Sequence, residues 1–171
     1  MVLSAMLKTS SNIEMLCGRM SPFRNSLYSH LSEDLVDSGE MDKQNADQIS
    51  EDIKKEMIES YKDFFKNQDA QFNVFVIDYK EDLQKEFIDE PLFKKAVSEG
   101  KLNIYKFNED FYGREYLHHT SMGDQAIVRL EDDNEKHSAM VFVMPQSNIL
   151  KSMNKTYSTL KKTTTKLASL E

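Results

Sequence analysis

Short apolar runs suited to strands alternate along this chain with longer stretches whose apolar residues return every three or four positions. That alternation restricts the chain to folds in which helices cover a sheet. The clearest helical stretch runs from Ala46 to Lys66. There Ile49, Ile53, Met57, Tyr61, Phe64 and Phe65 line one side, and acidic residues and lysines fill the other. The run Phe72 to Ile77 follows at once and reads as a strand buried on both faces.

The same logic places the remaining elements. Residues 2–8 suit a short helix with Val2, Leu3, Met6 and Leu7 on its apolar side, and Asn12 to Cys17 suits a buried strand stopped by Gly18. Ser21 as N-cap and Pro22 at the first helical position open a helix over 22–36, with Phe23, Leu27, Leu31 and Leu35 as its core stripe. The polar stretch 37–47 is expected to be a mobile loop. Pro91 starts a helix over 91–98 that Gly100 ends, and Leu102 to Phe107 is the third strand. An irregular or helical link covers 108–115. Strands at 126–131 and 138–143 are joined through 132–137 as a hairpin.

A long amphipathic helix is expected from 146 to about 167, in a C-terminal segment 146–171. Its residues Leu150, Met153, Tyr157, Leu160, Thr164 and Leu167 repeat in a heptad-like spacing. That stripe suits packing on the sheet, or a dimer interface formed by Leu150, Met153, Tyr157, Leu160 and Leu167. The expected fold is therefore α/β. A single domain over 1–171 would carry a mixed, mostly parallel sheet of about five or six strands with helices on both faces.

Composition narrows the function. A formal net charge of −7 argues against a nucleic-acid binder, which needs a basic face, although the lysines of the last helix make that end locally basic. Cys17 is the only cysteine, so it has no disulfide partner within the chain and no thiolate metal site can form. The first residues are too short and too polar for a signal peptide, and no run approaches a membrane span. A cytoplasmic protein with no membrane partner is the expectation.

The chemistry concentrates in 116–133. His118 and His119 precede Asp124, and Arg129 and Glu131 share one face of the strand at 126–131. If that face meets the chain near His119, an imidazole nucleophile or base, an orienting carboxylate and an Arg–Glu pair would converge. The alternative is a loop end followed by ordinary strand polarity. Gly18 with Arg19 and Arg24 forms a second candidate, an anion cradle at the start of a helix. Adjacent strand residues face opposite ways, so His118 and His119 would not share one ion, and no metal is expected. No glycine-rich nucleotide loop occurs, and no cofactor is implied.

The stretch from His118 through Thr120, Ser121, Met122, Gly123 and Asp124, then Ala126 to Asp132, an acidic turn, and Ala139 to Val143 before a long helix resembles the end of a phospholipase D-like half-domain. The likeness covers the element order over roughly residues 5–160. Catalytic members carry His-x-Lys followed, after four residues, by Asp; the histidine attacks phosphorus and the lysine grips phosphate oxygens. Here Thr120 or Ser121 stands at the lysine position, Asp124 comes one or two residues early, and no second copy of the motif exists. The lost cation would forfeit several kcal/mol of charge stabilisation. The resemblance thus implies a non-catalytic regulatory or interaction module with a protein partner or a second copy of itself. One alternative is a degenerate phosphodiesterase using His119 or His118 as nucleophile, Asp124 to orient it and Glu131 as proton donor. A second is a nucleic-acid-associated accessory protein resting on the C-terminal lysines.

Overall fold

The computed structural model describes residues 2–108, 119–124, 127–133, 138–143 and 147–170, so most of the link expected over 108–115 lies outside the described residues. In chain order these form α1 (Val2–Thr9), β1 (Asn12–Cys17), α2 (Asn25–Asp37), α3 (Lys43–Lys66), β2 (Gln71–Val76), α4 (Glu90–Ser98), β3 (Leu102–Phe107), β4 (Thr120–Gly123), β5 (Ile127–Asp133), β6 (Ser138–Val143), α5 (Ser147–Thr163) and β7 (Thr164–Lys166). Two 3-10 turns lie at Ser21–Phe23 and Glu81–Glu86.

One seven-stranded sheet runs in the order β6-β5-β4-β1-β2-β3-β7. β1 pairs parallel with β2, and β2 with β3, each pair joined by a crossover carrying helices. The pairs β1–β4, β4–β5, β5–β6 and β3–β7 are antiparallel. The α/β class and the mixed sheet agree with the sequence reading. The count of five or six strands and the mostly parallel pairing do not, because β4 and β7 are too short to show a period.

Strand alternation gives each face its own core. Ile13, Met15 and Cys17, with Phe72, Val74, Val76, Leu102 and Ile104, point to the side covered by α1, α2, α3 and α4. On that side Phe23 meets Tyr61 at 5.2 Å, Phe72 at 5.4 Å and Phe93 at 5.2 Å between ring centroids, so the turn after β1, α3, β2 and α4 share one aromatic cluster. Leu16, Phe75, Phe107, Met122 and Val128 point the other way, onto Met153, Tyr157 and Leu160 of α5.

Four local departures have physical causes. Arg24 is extended, at φ −111°, and bridges to Phe87, so the expected helix over 22–36 becomes a 3-10 turn and then α2. The residue before that turn is Met20, buried in the left-handed region at φ 57°, and no side chain caps the turn. Tyr28 and Ser32, not Leu31 and Leu35, are the deepest residues of α2, because the α2–α3 seam is partly polar: Ser32 Oγ donates to Asp47 Oδ1 at 2.5 Å, and Ser50 Oγ bonds the Tyr28 carbonyl. Within the polar stretch 37–47, α3 already begins at Lys43, where Asp42 accepts from the Asn45 amide at 2.9 Å as N-cap.

The long terminal helix also ends sooner than expected. α5 stops at Thr163, and β7 then pairs with β3 at the far edge of the sheet. Thr163, Thr164 and Thr165 are β-branched, and the first two hydroxyls bond the Leu160 carbonyl at 3.2 and 2.7 Å, competing with the helical ladder. The stripe is divided in consequence. Met153, Tyr157 and Leu160 are buried on the chain's own sheet, Leu150 packs beside them, and Leu167 joins the opposite core. Ile49 of α3, expected in the core, is exposed.

Candidate functional site

The carboxyl ends of the parallel strands are where open α/β sheets place ligands. There β1 gives way to Gly18, and β4 starts beside it, because Thr120 pairs with Leu16 in an antiparallel ladder. The imidazole of His119 lies on Gly18: a methyl group at that glycine would stand 3.1 Å from Nε2. Glycine is what lets the histidine approach the backbone so closely.

The other candidates separate into two groups. Arg129 pairs with Ser121 across β4 and β5, so it shares a sheet face with His119, two residues along β4. One step beyond the Thr120–Leu130 pair, the ladder brings the backbone of Glu131 level with His119; the Glu131 side chain and all of His118 lie outside the described residues. Asp124 is elsewhere. It follows Gly123, which pairs with Ile13, and its carboxylate accepts from the Ser11 and Asn12 amides at 3.1 Å and from Ser11 Oγ at 3.0 Å. His119 and Asp124 therefore sit at opposite ends of β4, roughly 16 Å apart along the strand. The expected imidazole–carboxylate pair is not assembled; Asp124 ties down the start of β1.

The anion cradle is also reassigned. Arg19 Nε donates to Asp78 Oδ2 at 2.8 Å, and the Arg24 guanidinium is ion-paired with Glu86 while reaching the Arg19 carbonyl at 3.3 Å. These arginines fasten the loop after β1 to the segments after β2. The residue next to Arg24 begins α2, yet both guanidinium groups already face carboxylates. Among the described residues no group of three His, Cys, Asp or Glu side chains is placed to hold a metal. Burial pushes the Cys17 thiol up to about 12, so it is inert as a nucleophile at neutral pH.

No family model, curated protein or solved structure matches the chain. Its chemistry must therefore be read from its own side chains.

A second polar cluster, unforeseen from the sequence, lies under α5. Glu14, Asn73 and Asn103 stand side by side across β1, β2 and β3, all buried. Asn103 Nδ2 donates to Asn73 Oδ1 at 3.0 Å, Asn73 Nδ2 donates to Glu14 Oε1 at 3.1 Å, and Lys161 of α5 donates to the same oxygen at 2.6 Å. Among the described residues Glu14 Oε2 and Asn103 Oδ1 have no hydrogen-bond partner. Desolvation raises the Glu14 pKa above its ordinary value, against the opposing pull of Lys161 and Asn73. Nearby, Tyr157 and Thr120 join hydroxyls at 2.8 Å. The chain carried a signal for this cluster: a polar residue interrupts each of three apolar runs, and the strand pairing brings those residues into one row.

Proposed function

We propose that this chain is a non-catalytic interaction module on a scaffold resembling a phospholipase D-like half-domain, working through a protein partner and housed in the cytoplasm. One observation carries the reading: Asp124, the carboxylate expected to orient the histidine, is committed to Ser11 and Asn12 at the other end of β4. Two features support it. Thr120 and Ser121 occupy the positions where catalytic relatives place the phosphate-gripping lysine. Arg19 and Arg24, the cations of the neighbouring loop, face Asp78 and Glu86. Without an oriented base and a cation at the developing charge, phosphoryl transfer loses general-base assistance and charge stabilisation.

A specific observation favours a second reading. His119, Arg129 and the backbone of Glu131 share one face at the carboxyl end of β1, so a degenerate phosphodiesterase would use His119 as nucleophile and Arg129 as phosphate contact. The two are separated by turnover of bis(4-nitrophenyl) phosphate. The module predicts no release of nitrophenolate above the buffer rate. Release that disappears in His119→Ala would establish the enzyme and overturn the module.

A further inference from the structure

The two edges of the sheet are built differently. β7 closes one edge with only three residues and presents Lys166, the kind of short, charged strand that discourages pairing. β6 closes the other with six residues, Ser138–Val143, none of them charged, and among the described residues nothing pairs with its outer side. Val143 is 71% exposed, Met140 50% and Val141 45%, and these are three of the four large apolar residues exposed on the described surface. They occupy both faces. Met140 pairs with Leu130 on the α5 side, and Val141 and Val143 pair with Arg129 and Ile127 on the other.

We propose that β6 pairs antiparallel with β6 of a second copy, joining two seven-stranded sheets edge to edge about a two-fold axis at Val141. Charge selects this occupant. A chain of net charge −7 repels its own copies over most approaches, whereas this strand brings no side-chain charge to the seam. Register selects the geometry. A two-fold axis perpendicular to a continuous sheet keeps each side chain on its own face, so opposed residues must differ by an even number. Centring on Val141 sets Val141 against itself, Met140 against Phe142 and Ala139 against Val143, apolar against apolar throughout. Among the described residues the nearest like charges, Arg129 and its symmetry mate, then lie three strand spacings apart, about 14 Å, beyond the screening length of physiological salt. The pairing supplies hydrogen bonds to an edge that no other described strand pairs, as strand addition does for extended peptides. It deepens the module reading, on which its biological meaning rests, by naming the partner.

Sedimentation of the full chain tests it. The expected species is a concentration-dependent dimer of twice 19.9 kDa. Val141→Lys should convert it to monomer, and Ile49→Lys on the exposed side of α3 should leave it dimeric. Mild oxidation of Val141→Cys should give a disulfide-linked dimer, since opposed strand residues lie within disulfide reach. Val143→Cys faces Ala139 and should give none, and native Cys17 is buried. The disulfide pair of variants decides the matter should Val141→Lys unfold. A monomeric wild type at about 0.5 mM, where typical weak complexes associate, would overturn the proposal. So would cross-linking as efficient at position 143 as at 141. Both readouts are masses, so failure here is distinct from failure of the module reading, which appears as phosphodiester turnover.

Discussion

Lys161 is the cation beside Glu14, a carboxylate buried beneath α5, and the pair makes stability depend on pH. The Glu14 carboxyl titrates above 4.5 in the fold because burial penalises its charge more than Lys161 and Asn73 favour it. The native state therefore holds this proton more tightly than the unfolded chain does. Its contribution to stability is greatest at low pH and falls as pH rises from about 4.5 through the raised native value. Removing the lysine makes that fall steeper. A fully buried pair broken on one side costs about 3–5 kcal/mol; because the Lys161 ammonium is partly in solvent, Lys161→Met should cost about 1–3 kcal/mol at pH 7. The loss should shrink toward zero near pH 4, and Glu14→Gln added to Lys161→Met should recover most of it. Urea unfolding at both pH values measures this, and an equal loss at each would assign the effect to the lysine stem alone. Gly123 makes a sharper steric test. A methyl group there would stand 2.2 Å from Ser10 Oγ and 3.2 Å from Ser10 Cβ, with Met6 behind. Gly123→Ala should destabilise by about 1–3 kcal/mol, as overpacked sites do. Ser10→Ala in the same chain should relieve part of that, because it removes the closer atom and a buried hydroxyl that has no partner among the described residues. Melting of the single and double variants decides it.

At the scale of elements, α5 shows what periodicity can and cannot disclose. Its heptad-like stripe is equally suited to a sheet and to another helix, since both want an apolar band on one side. Burial of Met153, Tyr157 and Leu160 against Leu16, Phe75 and Val128 assigns it to the sheet. Leu160→Glu should therefore unfold the protein, with a loss of at least about 3 kcal/mol from an unpaired buried charge and lost packing. Circular dichroism separates this from a simple change of mass: a folded monomer would return Leu160 to the role of interface residue. Elements with a full period were legible in the chain. β1, β3 and β6 occupy the residues expected, and α3 differs only by an earlier start. β4 escaped because four residues with two hydroxyl side chains carry no apolar alternation. β7 escaped because its threonines continued the helical spacing. The candidate site was less legible still. Asp124 and His119 are close in sequence, but a strand between two residues separates them at about 3.3 Å per step, whereas a loop could have folded them together. Glu14, Asn73 and Asn103 are distant in sequence and adjacent in space, through a register that no local pattern encodes.

At the scale of the molecule, the two cores differ in how far along the chain their members are drawn. The aromatic cluster of Phe23, Tyr61, Phe72 and Phe93 on the α1–α4 side closes within residues 23–93. The core under α5 needs Leu16 of β1, Val128 of β5 and Leu160 of α5 together, a span of most of the chain. Because loop-closure entropy must be met before distant contacts form, the shorter-range core should organise first, with β1, β2 and β3 paired around it. The second core then completes on a surface already made, since β1 and β2 contribute alternate residues to both. Val74 and Val128 are both fully buried, one in each core, and truncating either to Ala should cost about 1–3 kcal/mol. The rates should divide that cost differently. Val74→Ala should mainly slow refolding, and Val128→Ala should mainly speed unfolding with refolding almost unchanged. Stopped-flow refolding and unfolding in urea reads both limbs. If Val128→Ala slowed refolding as much as Val74→Ala, the two faces of the sheet would have to assemble together, with α5 already docked when β1 and β2 pair.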